Sequence, residues 1–256
     1  MFGLWSWWRE RRARQNPIPR PLWNEVVATL PLADDLAPAE RETLHDLATL
    51  FVHDKDFYGA GGLELDDVMI VTIAAQACLP AIHLGWEWLT GWHSIYVYPG
   101  QFRTGRAFRD EHGLETIDDR VLSGEAHHDG GLVFSWTDVI EDIAAGSDGQ
   151  NVVIHEIAHK FDMRNGDADG YPPLRRGMSR QGWTQAMRTA YDAMNAELDR
   201  GRDPELDPYA ATEPAEFFAV MSEYYFETPR LLGREFPAVR EQLEQFYRGV
   251  ADEVRR

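Results

Sequence analysis

One cysteine, two lysines and no apolar run long enough to cross a bilayer set the first limits on this 256-residue chain. Cys78 has no partner, so no disulfide can form within the chain, and a reducing, cytoplasmic location is the simplest expectation. The longest apolar stretch, Val68 to Ile82, spans fifteen residues and is interrupted by Gln76 and Pro80. A membrane-spanning helix needs about 20 residues, so this stretch reads as a buried helix and no transmembrane segment is expected. Positive charge is scarce as well: 25 Lys and Arg face 43 Asp and Glu, a net charge of −18. Affinity for nucleic acid comes from basic side chains neutralising phosphates, so direct nucleic-acid binding is not expected.

Aromatic residues are plentiful at 12%, and 44% of the chain is hydrophobic, enough to build a substantial core. No internal repeat and no long linker divides the sequence. The expected organisation is a Trp- and Arg-rich arm over residues 1–22 followed by a single domain over 23–256. The arm carries Trp5, Trp7 and Trp8 ahead of Arg9, Arg11, Arg12 and Arg14. A secretory signal has the opposite order, charge first and apolar core second, so the arm is not read as one. Docking on the chain's own acidic body is the plain expectation for it; a membrane surface or a partner protein is the alternative.

The hydrophobic period separates the layers. Leu36, Leu44, Leu47, Leu50 and Phe51 recur at helical spacing, and the pattern is helical from Trp23 to about Gly59. SIYVYPG (94–100), RVLSGEAH (120–127) and GLVFSW (131–136) are strand-like, each rich in β-branched or aromatic residues or bounded by turn signals. GLVFSW is expected to be the sheet edge to which an extended peptide adds. Helices are expected again at 137–145, 150–164, 180–200, 214–227 and 235–253. The fold class is α+β: a helical N-terminal layer, a small mixed central sheet, and a helical C-terminal half.

Chemistry concentrates in NVVIHEIAHKFDM, residues 151–163, which contains His155-Glu156-Ile157-Ala158-His159. Residues four apart on a helix share a face, so both imidazoles can reach one cation. Glu156, next to the first His, can reach a water on that cation without binding the metal itself. This H-E-x-x-H spacing is the signature of a zinc site with an open position. The alternative is an exposed helix with two solvated His, but Val152, Val153, Ile154, Ile157, Ala158 and Phe161 surround the motif with apolar residues. A helix so buried must satisfy its His and Glu with something.

A third metal ligand is expected from YAATEPAEFFAVMSEYYFETP, residues 209–229, where Glu213, Glu216, Glu223 and Glu227 are available. Pro214 marks a helix start and leaves Glu213 at the cap, where helix-terminal chemistry explains a carboxylate. Glu216 and Glu223 lie two turns apart on one face among Phe217, Phe218, Val220, Met221, Tyr224 and Tyr225. Glu216 is read as the ligand and Glu223 as the group holding a ligand His or nearby backbone in place; an ion pair with an Arg is the competing account of Glu223.

These motifs, with GxEWL at 85–89 and SIYVYPGQF at 94–102, resemble the Mlc titration factor A family of zinc metallopeptidases, of the zincin class. The resemblance runs from about residue 20 to 250. The C-terminal part is also similar to the catalytic domain of anthrax lethal factor, where a Tyr precedes the ligand Glu by seven residues in an A-E-F-F-A context. The match falls on Tyr209, Ala215, Glu216, Phe217, Phe218 and Ala219; it supports Glu216 over Glu213 and implies that Tyr209 stabilises the oxyanion. Where several zincins carry an acidic residue four positions after the ligand Glu, this chain has Val220, so Glu223 or Asp162 takes the His-orienting role. Some family members carry a loop His upstream; His112, His127 and His128 lie in that part of the chain and read as surface His. The resemblance implies one Zn2+ per chain, aminopeptidase-type hydrolysis of peptide substrates, and binding to Mlc, a transcriptional repressor of sugar-uptake genes. A repressor-sequestering protein with vestigial peptidase activity is the alternative.

Overall fold

The computed structural model describes residues 15–100 and 130–249, and between them the backbone of five strand segments within 102–126. Residues 1–14 of the arm, and His112, His127 and His128, lie outside the described residues.

The first layer is helical. Helix α1 (Arg20–Val27) carries Pro21 in its first turn and α2 (Pro38–Asp54) begins on Pro38; proline's fixed φ suits a first turn. Helix α3 (Asp67–Cys78) is capped by Asp66, whose carboxylate accepts from the Met69 amide at 2.8 Å. From Met69 to Cys78 only Ile70 escapes full burial, so this is the apolar stretch expected to be an internal helix. Burial also pushes the Cys78 thiol well above its ordinary pKa.

A four-stranded sheet follows, of strands β1 (Asp56–Gly59), β2 (Ser94–Tyr98), β3 (Gly124–Ala126) and β4 (Leu132–Ser135) in the order β1-β2-β4-β3. The first two pairings are parallel, with Phe57 opposite Ile95 and Val97 opposite Phe134; β3 runs antiparallel to β4. Ile95, Val97, Leu132 and Phe134 are fully buried, whereas Tyr58 and Tyr96 stack on each other on the other face. Two short antiparallel ribbons, Phe102–Arg103 with Val121–Leu122 and Arg106–Arg109 with Glu115–Asp118, lie between β2 and β3 in sequence.

Two sequence expectations change here. Residues 56–59 continue no helix: α2 stops at Asp54, and Asp56 to Gly59 pair with β2. Local propensity is overridden because the β2 edge offers backbone partners, and Phe57 can then pack edge-on against Phe51. GLVFSW is also not an edge, since β4 is flanked by β2 and β3 and all four of its residues are buried. Among the described residues the sheet ends at β1 and at β3.

Both lysines are buried. The Lys55 ammonium donates to Asp54 (2.9 Å), to the Leu89 carbonyl (2.5 Å) and to the Trp92 carbonyl (2.7 Å), fastening the turn that leads into β2. Three acceptors satisfy its three protons, which is what burial of the charge requires.

The C-terminal half comprises α4 (Trp136–Ala145), α5 (Val152–Asp162), α6 (Arg180–Leu198), α7 (Pro214–Glu227), α8 (Pro229–Glu235) and α9 (Pro237–Arg248). The helix expected over 235–253 is α9, which runs from Pro237 to Arg248; α8, over 229–235, was not expected, and Pro229 and Pro237 each stand at the start of a helix. Trp183, Phe218 and Phe246 pack together behind the α5–α7 pair, and Trp88 links Phe246 to Phe161. Each buried Phe contributes roughly 1.5–3 kcal/mol. Buried apolar residues from Ile18 to Tyr247 form one contiguous core. The architecture is thus the mostly helical α+β arrangement with a small mixed sheet that the hydrophobic pattern predicts.

The loop after α5 is held by Gly170, at φ 78°, whose amide donates to Asp162 and whose carbonyl accepts from the Trp183 indole. A Cβ there would stand 2.4 Å from the Pro214 carbonyl oxygen, a backbone atom that cannot swing aside. Gly170→Ala is expected to lower stability by about 1–3 kcal/mol, measured as a reduced urea midpoint with unchanged m-value.

Candidate metal centre

Helix α5 presents the centre. Asn151 caps it, its Oδ1 accepting from the Ile154 amide at 3.0 Å. The Asp142 carboxylate accepts from the Val152 amide at 2.8 Å. Acceptors at a helix N-terminus satisfy amides that have no partner within the helix. Toward the other end, the buried ammonium of Lys160 donates to the Gly130 carbonyl at 2.8 Å, tying α5 to the chain entering β4.

One turn apart on the face turned toward α7 stand His155 and His159, whose Nε2 atoms approach to 3.1 Å. Glu216, in the first turn of α7, places Oε2 at 3.0 Å from His155 Nε2 and 3.3 Å from His159 Nε2. Ligand atoms of these three residues all lie within 4.8 Å of one another, and among the described residues they form the group able to hold a metal ion. Burial opposes ionisation of Glu216, but hydrogen bonds from His155 and His159 outweigh it and hold its carboxyl far below the usual range.

The donor chemistry fits a metal. Glu223, two turns beyond Glu216, accepts from His155 Nδ1 at 2.8 Å. With that nitrogen carrying the proton, the Nε2 lone pair of His155 faces His159 and Glu216. Two imidazole nitrogens and a carboxylate oxygen then converge on one point, the ligand set of a divalent cation with room for a further ligand. Burial works against a charged His155, yet Glu223 and Glu216 together raise its pKa well above normal.

Glu156 is 4% exposed and its Oε2 has no hydrogen-bond partner. Burial pushes its pKa up to about 7, against the opposing pull of His155 and His159. Tyr209 is 43% exposed, with its ring centroid 6.2 Å from that of His155. It is carried on a 3-10 turn, Pro208–Ala211, in which Asp207 accepts from the Tyr209 amide at 2.8 Å. The Asp207 amide donates in turn to the Tyr224 hydroxyl at 3.0 Å, fastening the turn to α7.

Of the residues singled out in the sequence, His155, His159, Glu216 and Glu223 come together, with Tyr209 beside them. Glu213 is the exposed cap residue of α7, outside the cluster. Asp162 follows His159 by three residues on α5: its Oδ2 accepts from the Gly170 amide at 2.7 Å, its Oδ1 is buried without a hydrogen-bond partner, and it makes no hydrogen bond to either His. Burial raises its pKa to about 6. The competing account of Glu223 as an Arg partner finds no such Arg among the described residues.

Sequence reasoning did not single out Asn151, Gln76 or Asp142. An Asn just before an apolar-periodic helix is a legible cap signal, but nothing local marks Gln76, 75 residues away, as its partner. Glu227, left open in the sequence, is buried and accepts from Asn151 Nδ2 at 3.0 Å. Burial raises its carboxyl to about 7, above the ordinary 4.5. Because the folded state holds this proton more tightly than the unfolded chain does, the contribution of Glu227 to stability falls as pH rises from about 4.5 to 7. Glu227→Gln is therefore expected to gain stability relative to wild type at pH 8, with the gap closing toward pH 4.5, as read by urea denaturation across that range.

A mostly helical α+β fold that gathers His, His and Glu around a buried H-E-x-x-H helix defines a protein of the metallopeptidase class. The model of the family described as glucose-regulated metallo-peptidase M90 matches residues 5–248, and the chain belongs to that family. It is 38% identical over 248 residues to the Mlc titration factor A of Escherichia fergusonii, covering 95% of this chain and 90% of the relative. The protein of the same name from Salmonella arizonae is 38% identical over 246 residues, covering 94% and 95%. That from Salmonella agona is 37% identical over 249 residues, covering 95% and 91%. The resemblance to the Mlc titration factor A family drawn from the motifs is borne out. Among the described residues, no helix is long and apolar enough to cross a membrane.

Proposed function

We propose that the protein is a zinc-dependent peptidase, with His155, His159 and Glu216 as the metal ligands. The observation that carries this reading is the convergence of three ligand atoms beside a buried Glu156 in a chain of metallopeptidase family. Zinc at such a site supplies Lewis-acid activation of water and of the scissile carbonyl. The remaining steps belong to the protein. Glu223 keeps the proton on His155 Nδ1 and so keeps Nε2 aimed at the ligand cluster. Glu156 accepts a proton from the attacking water and returns it to the leaving amine as the C–N bond breaks. Tyr209 donates a hydrogen bond to the oxyanion that develops on the carbonyl oxygen. The substrate is an extended peptide, and attack next to a free N-terminus, the aminopeptidase mode, is the expected preference.

Metal analysis of purified protein, paired with cleavage of a peptide library, tests this reading. We expect about one zinc per chain, and cleavage that stops on chelation and returns with zinc. Stoichiometric metal in a His155→Ala protein, or cleavage indifferent to chelation, would overturn it.

A second activity is favoured by the shared name of the relatives, Mlc titration factor A: binding of an Mlc-like repressor. The net charge of −18 suits a basic partner surface. If repressor binding persists in folded His155→Ala protein, the two activities use different surfaces.

A further inference from the structure

We propose that Asn151 and Glu227 are positioning residues for the metal centre, forming with Glu223 a relay that locks His155 and the first turn of α5 to α7. The inference rests on the reading of His155 as a metal ligand. Asn151 is 3% exposed and every polar group it carries is engaged. Its Oδ1 accepts from the Ile154 amide, its carbonyl accepts from the His155 amide at 2.9 Å, and its own amide donates to Glu223 Oε2 at 2.5 Å. The side-chain amide donates both protons, to Gln76 Oε1 at 2.9 Å and to Glu227 Oε1 at 3.0 Å.

A cap alone needs only the Oδ1 acceptor, which Ser or Asp supplies equally well. The two remaining donors meet acceptors from two other helices, α3 and α7, so this one side chain joins three helices at the start of the metal-binding turn. Glu227 lies four residues beyond Glu223, one turn along the same face of α7. Glu223 therefore has both oxygens committed, Oε1 to His155 and Oε2 to the Asn151 amide, and Asn151 is held in turn by Glu227 and Gln76. Releasing the Asn151 side chain lets the first turn of α5 move against α7, which loosens the Glu223 carboxylate and the imidazole it orients. Loss of groups that orient metal ligands costs about 10- to 100-fold in metal affinity. At one step further out, we expect about tenfold.

The test measures zinc affinity by chelator competition and the visible spectrum of the Co2+-substituted protein, well below the melting temperature. Asn151→Ser keeps a cap oxygen and the backbone donor to Glu223 but removes the side-chain donors. Glu227→Leu removes the acceptor, whereas Glu227→Gln keeps a carbonyl oxygen. Asn151→Ser and Glu227→Leu should bind zinc about tenfold more weakly and shift the Co2+ bands, with Glu227→Gln restoring both to wild type. Wild-type affinity and spectrum in folded Asn151→Ser overturns the relay, as does a Glu227→Gln protein as weak as Glu227→Leu. If Glu227→Leu does not fold, Asn151→Ser and Glu227→Gln decide alone. A His155→Ala control separates the two levels: if it retains the metal, the site reading itself fails, and if it loses the metal while the relay variants do not, only the relay is rejected.

Discussion

Glu156→Gln should reduce peptide cleavage by about 10²- to 10⁴-fold, the range that a positioned general base contributes, while zinc content stays at the wild-type level. The substitution is nearly isosteric, and Glu156 belongs to neither the ligand trio nor the hydrogen bonds that hold it. Its Oε2 is buried without a partner, so replacing it by an amide breaks no protein hydrogen bond to that atom. What disappears is the ability to accept a proton. Single-turnover cleavage measured beside metal content distinguishes this from loss of the metal. Full activity in the variant would remove Glu156 from the mechanism, and loss of zinc along with activity would place it among the structural supports.

Phe218→Ala should cost about 3–5 kcal/mol of stability, the range for truncating a fully buried aromatic residue. Phe218 is 0% exposed and packs against Trp183 and Phe246, with ring centroids 5.8 and 6.0 Å away. The residue lies two positions after Glu216 on α7, so the same helix that offers a ligand on one face is anchored by aromatic packing on another. Urea denaturation should show the lower midpoint. Because Glu216 and Glu223 reach His155 only while α7 keeps its seat on α5, zinc affinity measured by titration calorimetry should fall as well. A large stability loss with unchanged zinc affinity would show that the ligand face is held independently of the core.

How much of this was legible in the sequence depends on how local each constraint is. Helix α5 announces itself because His155 and His159 share a face by helical spacing alone. Helix α7 could be read with its ligand because Pro214 fixes its start and sets aside Glu213. The Asp56–Gly59 strand could not be read, since nothing in those four residues outweighs the preceding helical pattern until β2 lies alongside. GLVFSW was recognisable as a strand but not as an interior one, because strand order is decided by β3 returning antiparallel to its free side.

The same division runs through the site. The sequence by itself determined the spacing that aims two imidazoles at one point and the acidic residue beside the first of them, because shared faces follow from helical periodicity; the family was legible only through the likeness of whole motifs. Only the tertiary structure decided that Glu223 reaches His155 across 68 residues, that Asp162 turns to Gly170 instead, and that Asn151 collects Gln76 and Glu227. The reason is physical. A buried polar group must find a partner wherever the packed helices place one, and that placement follows from how α3, α5 and α7 cross, which no short stretch of sequence encodes.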